Sequence, residues 1–557
     1  MIKDIKIQFG SHPAGEKLLI ETSPVTVFVG PNNSGKSKLL TEIQQFSQHG
    51  VKNHTFKLID DISFNELSEE QRAKEIESHT LSPNANEQID QGRILFGDGR
   101  TRNQINEQLP NQILTNPNGH KNNFCTYYLS YKTLKLDALN RISLINQRPL
   151  GDLQSSPSNN LAILFKDDDK RLEVRRIIED AFGLYFVLDP TNAGQLRIRL
   201  SKTAPENHQV ERGLHQEAVD FHKEALEITQ ASDGVKAFTG IITSIVAGSP
   251  KVTILDEPEA FLHPSLSSKL GKEIATSAKI DLNRLFVSTH SSNFLMGCIQ
   301  SGASINIVRL TYSNEVGTAR LLDKEKISTL MKDPLLRSTG VLNALFYKHV
   351  IVTEGDSDRA FYQEINERLL EFDSENGIDN CLFINAVGKD TIWKIVKPLR
   401  EMGIPAVGIY DIDILKNEGS NWTNALKSSF VPDISHQPLG QTRSLLKNKF
   451  SELSINMKTD GGVNALPHEE KEAANNLFSQ LEEYGIFTVR TGEVEHWLQN
   501  LGVTANKSVW LPQMFEKMGS DPDDPSFVKP TRDDDVWEFV GRINSWMSNE
   551  SRKGIPK

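Results

Sequence analysis

The chain has 557 residues and a formal net charge of -11, too long for one ordinary core and too acidic to coat nucleic acid with its whole surface, although a local basic channel or a metal-mediated contact is compatible with that charge. Its three cysteines, Cys125, Cys298 and Cys381, lie far apart without a CxxC spacing, which argues against a disulfide framework or a zinc site and makes a cytoplasmic location the expectation. MIKDIKIQFG lacks the charged-then-apolar plan of a signal peptide and no apolar run reaches membrane-spanning length, so neither secretion nor a membrane partner is expected.

From the amino end, IKDIKIQF, KLLIE and VTVFVG read as short strands. The third runs into Gly30-Pro31-Asn32-Asn33-Ser34-Gly35-Lys36-Ser37, a complete GxxxxGK[ST] pattern between an apolar strand and the helical KLLTEIQQF that begins at Lys38. In that context the glycines let backbone N–H groups of the turn surround phosphate oxygens, and the helix N-terminus adds partial positive charge. Lys36 reaches the terminal phosphates and the Ser37 hydroxyl ligates magnesium. Next comes a less regular stretch, roughly residues 50–230, in which the Asn/Gln/Pro-rich RTRNQINEQLPNQILTNPNGHKNN is expected to be loop.

Ser232-Asp233-Gly234 opens a helical pattern, and the apolar run in KVTILDEPEAFLHP ends on Asp256 and Glu257. Paired with the phosphate loop, Asp256 is expected to hold the magnesium through water and Glu257 to polarise the attacking water. His263 precedes Pro264, a residue favoured in a helix's first turn. His290 ends the next strand, in RLFVSTHSSNF. From Leu345 strands and helices alternate again through HVIVTEG, DRAFYQEINERLLEF, CLFINAVG, DTIWKIVKPLREMG and IPAVGIYDID, which implies parallel strands with helical crossovers. Gly403 and Gly485 stand where helix caps would fall. PDDPSFVKPTRDDDV reads as loop before a short helix around VWEFVGRINSWM.

Glu354 and Asp358 flank the turn after VIVT, and Asp411 and Asp413 end the strand AVGIYDID. Neighbouring parallel strands deliver their carboxyl ends to one rim, so these four acids can converge there, and converging like charges call for protons or cations. Oxygen-only donors favour magnesium or manganese. Glu493 and Glu495, in TVRTGEVEHWL, are candidates to complete a second metal position. Lys389, in VGKD, either contacts phosphate or begins a solvated helix, and Lys529, in FVKPTR, is a weaker candidate for a lysine near the metals.

The amino-terminal motifs, with DEPExxLHP at Asp256 to Pro264, resemble the ATP-binding-cassette (ABC) ATPases of the SMC and RecF kind. The resemblance implies that a serine-glycine signature, here Ser232 and Gly234, closes over the γ-phosphate held by a second subunit, and that His290 senses this phosphate. SDGVKAF departs from the LSGGQ form of transporters, and Gln147 is the one candidate for a Q-loop. From about Leu345 to Asn500 the order EGxSD, VGKD and DID is similar to Toprim domains of topoisomerases, primases and some nucleases.

The combination resembles the overcoming-lysogenization-defect (OLD) family of ATP-dependent nucleases, which includes anti-phage effectors of the Gabija and retron type. That resemblance implies an α/β chain with an ABC-type P-loop ATPase domain over residues 1–344, whose stretch 50–230 includes a helical insertion suited to dimerisation. A Toprim parallel-sheet domain over 345–500 and its extension over 501–557 would follow. It further implies a two-metal phosphodiesterase, with ATP and Mg2+ or Mn2+ as cofactors, DNA as substrate, a homodimer or higher oligomer, and a companion defence protein such as a helicase or a reverse transcriptase with its nucleic acid. Glu354 and Asp411 would be catalytic there, beside Glu257 and His290 in the ATPase. Two other readings stay open: a non-cleaving ATPase scaffold or sensor that binds DNA or a partner, and a RecF-like clamp that would leave the second acidic cluster idle.

Overall fold

Val25–Val29 is buried at all five positions, as a strand covered on both faces must be, and it forms the middle of a six-stranded sheet. The order across that sheet is Val316–Leu322, Ile305–Ser313, Val25–Val29, Arg284–Ser288, Val252–Asp256 and Thr133–Leu136. All neighbours are parallel except the hairpin formed by the first two. The computed structural model describes residues 1–557 except 14, 84–86, 99–100, 138–139, 155–156, 280–282, 314–315, 323–324, 326, 328–339, 505–506, 532–534 and 557. Apart from the turn tip Gly30–Asn32, Met1–Leu322 form one compact unit and Asp323–Lys557 another.

In the first unit Ile2–Ile7 pairs with Leu19–Glu21 and with Ile59–Phe64 in an antiparallel sheet, and these strands share a core with the helix Lys36–His49. Two expectations are corrected here. The polar stretch RTRNQINEQLPNQILTNPNGHKNN is not loop: Arg102–Asn106 pairs antiparallel with Arg93–Gly97, and helices Leu109–Thr115 and Lys121–Phe124 follow, the first with proline in its first turn. Each element buries only one to three apolar side chains, among them Ile105, Ile113, Leu114 and Phe124. A polar sequence with so few anchors shows no clear period. The insertion is also mixed, not simply helical, because Tyr185–Asn192 and Gln195–Ser201 form an antiparallel pair beside the helices Asn160–Lys166 and Asp168–Phe182.

The second unit is built on a four-stranded parallel sheet in the order Cys381–Asn385, His349–Thr353, Ala406–Asp411, Ile486–Val489. From His349–Thr353 the chain passes through helix Asp356–Phe372 to one flank, then through helix Lys389–Glu401 back to the other flank. That reversal opens a crevice at the carboxyl ends of His349–Thr353 and Ala406–Asp411. The carboxyl-terminal helices Lys507–Met518 and Val536–Ser548 place Trp510, Met514, Met518, Trp537 and Phe539 in the same core as Ile351 and Phe361. The stretch before the last helix is without regular elements among its described residues, and the Arg532 to Asp534 part of that expectation lies outside them.

Two buried arginines fasten this unit. The Arg368 guanidinium donates to the carbonyls of Met518, Val528 and Gly519 and lies 4.0 Å from the Phe527 ring. Arg400 is fully buried and donates to the carbonyls of Ala406, Ser429, Tyr484, Gly554 and Gly485. Its truncation would strand several carbonyls and leave a cavity, so Arg400→Ala should destabilise the second unit by roughly 3 kcal/mol or more. Urea unfolding should show this loss while nucleotide binding by the first unit is retained.

Candidate functional site

In the first unit the phosphate loop leaves the central strand with left-handed backbone at Asn33 (φ 61°) and Gly35 (φ 92°), and Gly35 is the N-cap of helix Lys36–His49. Lys36 and Ser34 are buried, with Lys36 Nζ 3.4 Å from Ser34 Oγ, whereas Asn32, Asn33 and Ser37 are exposed at the turn. Lys38 leans along the helix, its Nζ 3.8 Å from Glu42. Burial lowers the Lys36 ammonium to about 8 against the pull of Glu257, Asp256 and Glu259. This charge is under-solvated and suited to an anionic partner.

Parallel pairing sets Asp256 opposite Ser288, and Asp256 Oδ1 accepts from the hydroxyls of both Ser37 (3.0 Å) and Ser288. Glu257 stands in a left-handed conformation (φ 49°) and donates its N–H to the Ser288 carbonyl at 3.0 Å. A strained non-glycine backbone of this kind persists only where its surroundings over-determine it. Arg141 is that surrounding: its guanidinium donates to the Asp256 carbonyl at 2.7 Å, the Glu257 carbonyl at 2.6 Å and the Asp137 carbonyl at 3.0 Å. No motif marked Arg141, because its partners are main-chain oxygens, two of them far along the chain.

His290 Nε2 lies 3.3 Å from Glu257 Oε1, and the His290 N–H donates to Glu259 at 2.7 Å. Burial, and then Lys36, lower the His290 imidazole, so it is neutral at physiological pH. His263 is the N-cap of helix Pro264–Ser277, the structural role its proline suggested. Ser232 is the exposed N-cap of helix Asp233–Gly248. A side chain at Gly234 would come within 2.8 Å of the Phe261 carbonyl, so this glycine lets the helix start lie against the DEPEAF segment. Gln147 accepts a hydrogen bond from Asn192 at 3.1 Å.

In the second unit Glu354 follows the strand His349–Thr353 and Asp411 ends the adjacent strand, so both stand at the crevice. The Asp411 N–H donates to Glu354 Oε1 at 3.3 Å. Among the described residues Glu354, Asp411 and Asp413 form one group able to hold a metal ion, with one oxygen from each within 4.8 Å of the others. Asp413 Oδ1 is buried without a hydrogen-bond partner. Burial, reinforced by Asp411 and Asp413, pushes the Glu354 carboxyl up to about 7, and burial with Asp358 and Asp413 pushes Asp411 up to about 6 against the pull of Lys458. Three oxygen donors, one of them open, fit a hard divalent cation.

The other acids fall outside that group of three. Asp358 accepts the Gly355 N–H at 3.0 Å and so caps helix Asp356–Phe372. Glu493 is buried and Glu495 half-buried at the turn Val494–His496. Lys389 begins helix Lys389–Glu401 with its Nζ 2.9 Å from Asp413, and the Gly388 N–H before it donates to the Glu354 carbonyl at 2.7 Å. Lys529 lies 4.8 Å from the Phe372 ring. Phe372 ends a 17-residue helix that starts at the acids, so Lys529 is about 25 Å from them. The lysine that does sit among the acids, Lys458, carried no motif: its Nζ is 2.5 Å from Asp411, 3.5 Å from Glu493 and 3.8 Å from Asp413.

A family profile described as an AAA domain, whose description also names an AbiEii toxin of a type IV TA system, matches residues 25–296. A second, the TOPRIM domain of overcoming-lysogenization-defect-like proteins, matches residues 345–413. No curated protein matches the chain. Solved structures that resemble it include the Smc head bound to the C-winged-helix domain of ScpA, at 17% identity and a TM-score of 0.35 over 59% of this chain and 99% of that one. The SMC head domain from Thermotoga maritima aligns at 15% and 0.30 over 58% and 99%. The ADP conformation of an ATP-binding cassette of an ABC transporter aligns at 12% and 0.26 over 61% and 98%. No helix of the described residues is long and apolar enough to cross a membrane.

Two measurements check these sites. Arg141→Ala should leave ATP binding in place and lower ATP turnover by about ten- to a hundredfold, because the Asp256-Glu257 turn loses its support. At the acidic rim, carboxyls with raised proton affinity hold protons in the folded state that the unfolded chain has released. The stability of the ion-free protein therefore falls as pH rises from the ordinary carboxyl range toward about 7. Added Mg2+ or Mn2+ should accordingly raise the melting temperature more at about pH 8 than at about pH 5, and Asp411→Asn should remove most of that difference.

Proposed function

We propose, from the premise that this chain is an OLD-family fusion of an ATPase domain with a TOPRIM domain, that it is an ATP-regulated, divalent-metal-dependent DNA endonuclease or nickase. The observation that carries this reading is the meeting of Glu354, Asp411 and Asp413 at the carboxyl rim of a parallel sheet. Mg2+ or Mn2+ held there would neutralise phosphate charge and activate water. The chain's own groups complete the set. Glu354, with Oε1 engaged by the Asp411 N–H, would help hold the ion beside Asp411 and Asp413 and orient the attacking water. Lys389 and Lys458 bring positive charge to where a phosphodiester would lie. Glu493 supports Lys458, while Asp358 and Glu495 border the site.

In the ATPase half, the turn Gly30 to Lys38 would cradle the phosphates of ATP, with Ser37 and Asp256 holding its Mg2+. Glu257 would orient the attacking water, steadied by its contact with His290. Ser232 and Gly234 lie at an exposed helix start, suited to close over the nucleotide of a second copy, so the working form is a homodimer or a higher assembly. OLD kinship supports a place among anti-phage effectors in the cytoplasm, with a helicase or a reverse transcriptase and its nucleic acid as companion.

Supercoiled plasmid tests the chemistry. With Mn2+ or Mg2+ the wild type should convert it to open circles, and Asp411→Asn should slow this at least about a hundredfold. Lys36→Ala should abolish the response to ATP while the acids stay intact. Plasmid left supercoiled with either ion, with and without ATP, would replace this reading by a non-cleaving ATPase sensor.

A further inference from the structure

We propose that the Lys458 ammonium is a resident cation of the acidic rim, so that the centre takes up one divalent ion at Glu354, Asp411 and Asp413 while the lysine fills the position between Asp411, Asp413 and Glu493. This rests on the functional reading only in assuming that the rim binds a divalent ion; it does not require that DNA be cut.

The first support is geometric. Lys458 Nζ lies 2.5 Å from Asp411 Oδ2 and 3.5 Å from Glu493 Oε2, where a second ion shared by these carboxylates would sit. The lysine side chain is only 21% exposed, so its charge depends on these partners.

The second support is the main chain that carries it. Asn456 N–H donates to Asp460 at 2.8 Å, Lys458 N–H donates to Asn456 Oδ1 at 3.1 Å, and Val463 N–H donates to the Arg490 carbonyl at 2.9 Å. These bonds close the loop on itself and pin it to the strand that leads to Glu493. A side chain at Gly492 (φ 136°) would come within 2.2 Å of the Lys458 carbonyl, so a glycine is required for this approach. The Gly492 carbonyl in turn accepts the Ile412 N–H at 2.9 Å, between the two aspartates. The backbone of Lys458 and the backbone of its acidic partners are thus one fastened assembly, unlike a long lysine that finds an acid from the surface.

The third support is charge. Glu354, Asp411, Asp413 and Glu493 touch one another or the two lysines, and against four carboxylates stand the ammonium groups of Lys389 and Lys458. Each ammonium offsets carboxylate charge that a second divalent ion would otherwise have to balance. An ammonium on a tether also cannot be lost to dilution. The proposed reaction would then depend on a single exchangeable ion, with Lys458 available to steady charge on a phosphate oxygen.

The test counts ions on nucleotide-free full-length protein, in an Asp256→Asn background that removes the nucleotide-site carboxylate from every arm. Calorimetric titration with Mn2+ should give about one ion per chain for this parent and about two with Lys458→Met, with spin-coupled Mn2+ pairs in the paramagnetic resonance spectrum of the latter alone. Lys458→Arg, which keeps the charge, should stay at one, and Lys458→Gln replaces the methionine variant if that form fails to fold. Two ions on the parent, one on both parent and neutral variant, or none on either overturns the proposal. Uncut plasmid with the expected change in ion count would sink the nuclease reading and leave Lys458 in its role; cut plasmid with two ions on the parent would do the reverse.

Discussion

Parallel strand pairing delivers the chemically active turns of each unit to the carboxyl end of its sheet, and the rest of the arrangement depends on that constraint. In the first unit the turn after Val25–Val29, the Asp256-Glu257 pair and His290 end three consecutive strands. In the second, Glu354 and Asp411 end the two strands between which the connection reverses direction. A reversal sends the following helices to opposite faces and leaves a crevice, which is why groups remote in sequence can share one site.

Burial drives both sites toward their uncharged forms, with opposite consequences for what they attract. Lys36 and His290 lose proton affinity, while Glu354 and Asp411 gain it. An under-solvated ammonium is a receptor for phosphate, and a set of crowded carboxylates is a receptor for cations. The two rims also differ in how they are kept stable. Asp256 is held by two serine hydroxyls, whereas the acids of the second rim are held by lysines. Hydroxyls can stay in place when a cation arrives, but an ammonium competes with it.

A second device recurs: buried ionic side chains that bond to main chain more than to opposite charges. Arg141 supports the strained Glu257 turn, and Arg368 and Arg400 tie the carboxyl-terminal segment into the Toprim core. Glu42, fully buried in the phosphate-loop helix, accepts the N–H groups of Lys57, Leu58 and Ile59. Irregular backbone has polar groups that no sheet or helix satisfies, and one guanidinium or carboxylate can satisfy several. Loops beside the sites therefore acquire a fixed shape without regular secondary structure.

Local pattern determined much of this protein. The phosphate loop, the apolar run into Asp256 and Glu257, the histidine at Val287's strand end, and the ordered acids Glu354, Asp411 and Asp413 are all readable, because each is a strand followed by a turn whose chemistry lies within a few residues. Thr133–Leu136 as an edge strand and Arg102–Asn106 as a paired strand were not readable, since their few buried residues acquire meaning only beside distant partners. Tertiary structure alone decided that Arg141 props the Glu257 turn and that Lys458, not Lys529, stands among the acids. Sequence period reports which way neighbouring side chains face; which charge fills the space between four carboxylates is set by loop packing, and no local pattern encodes that.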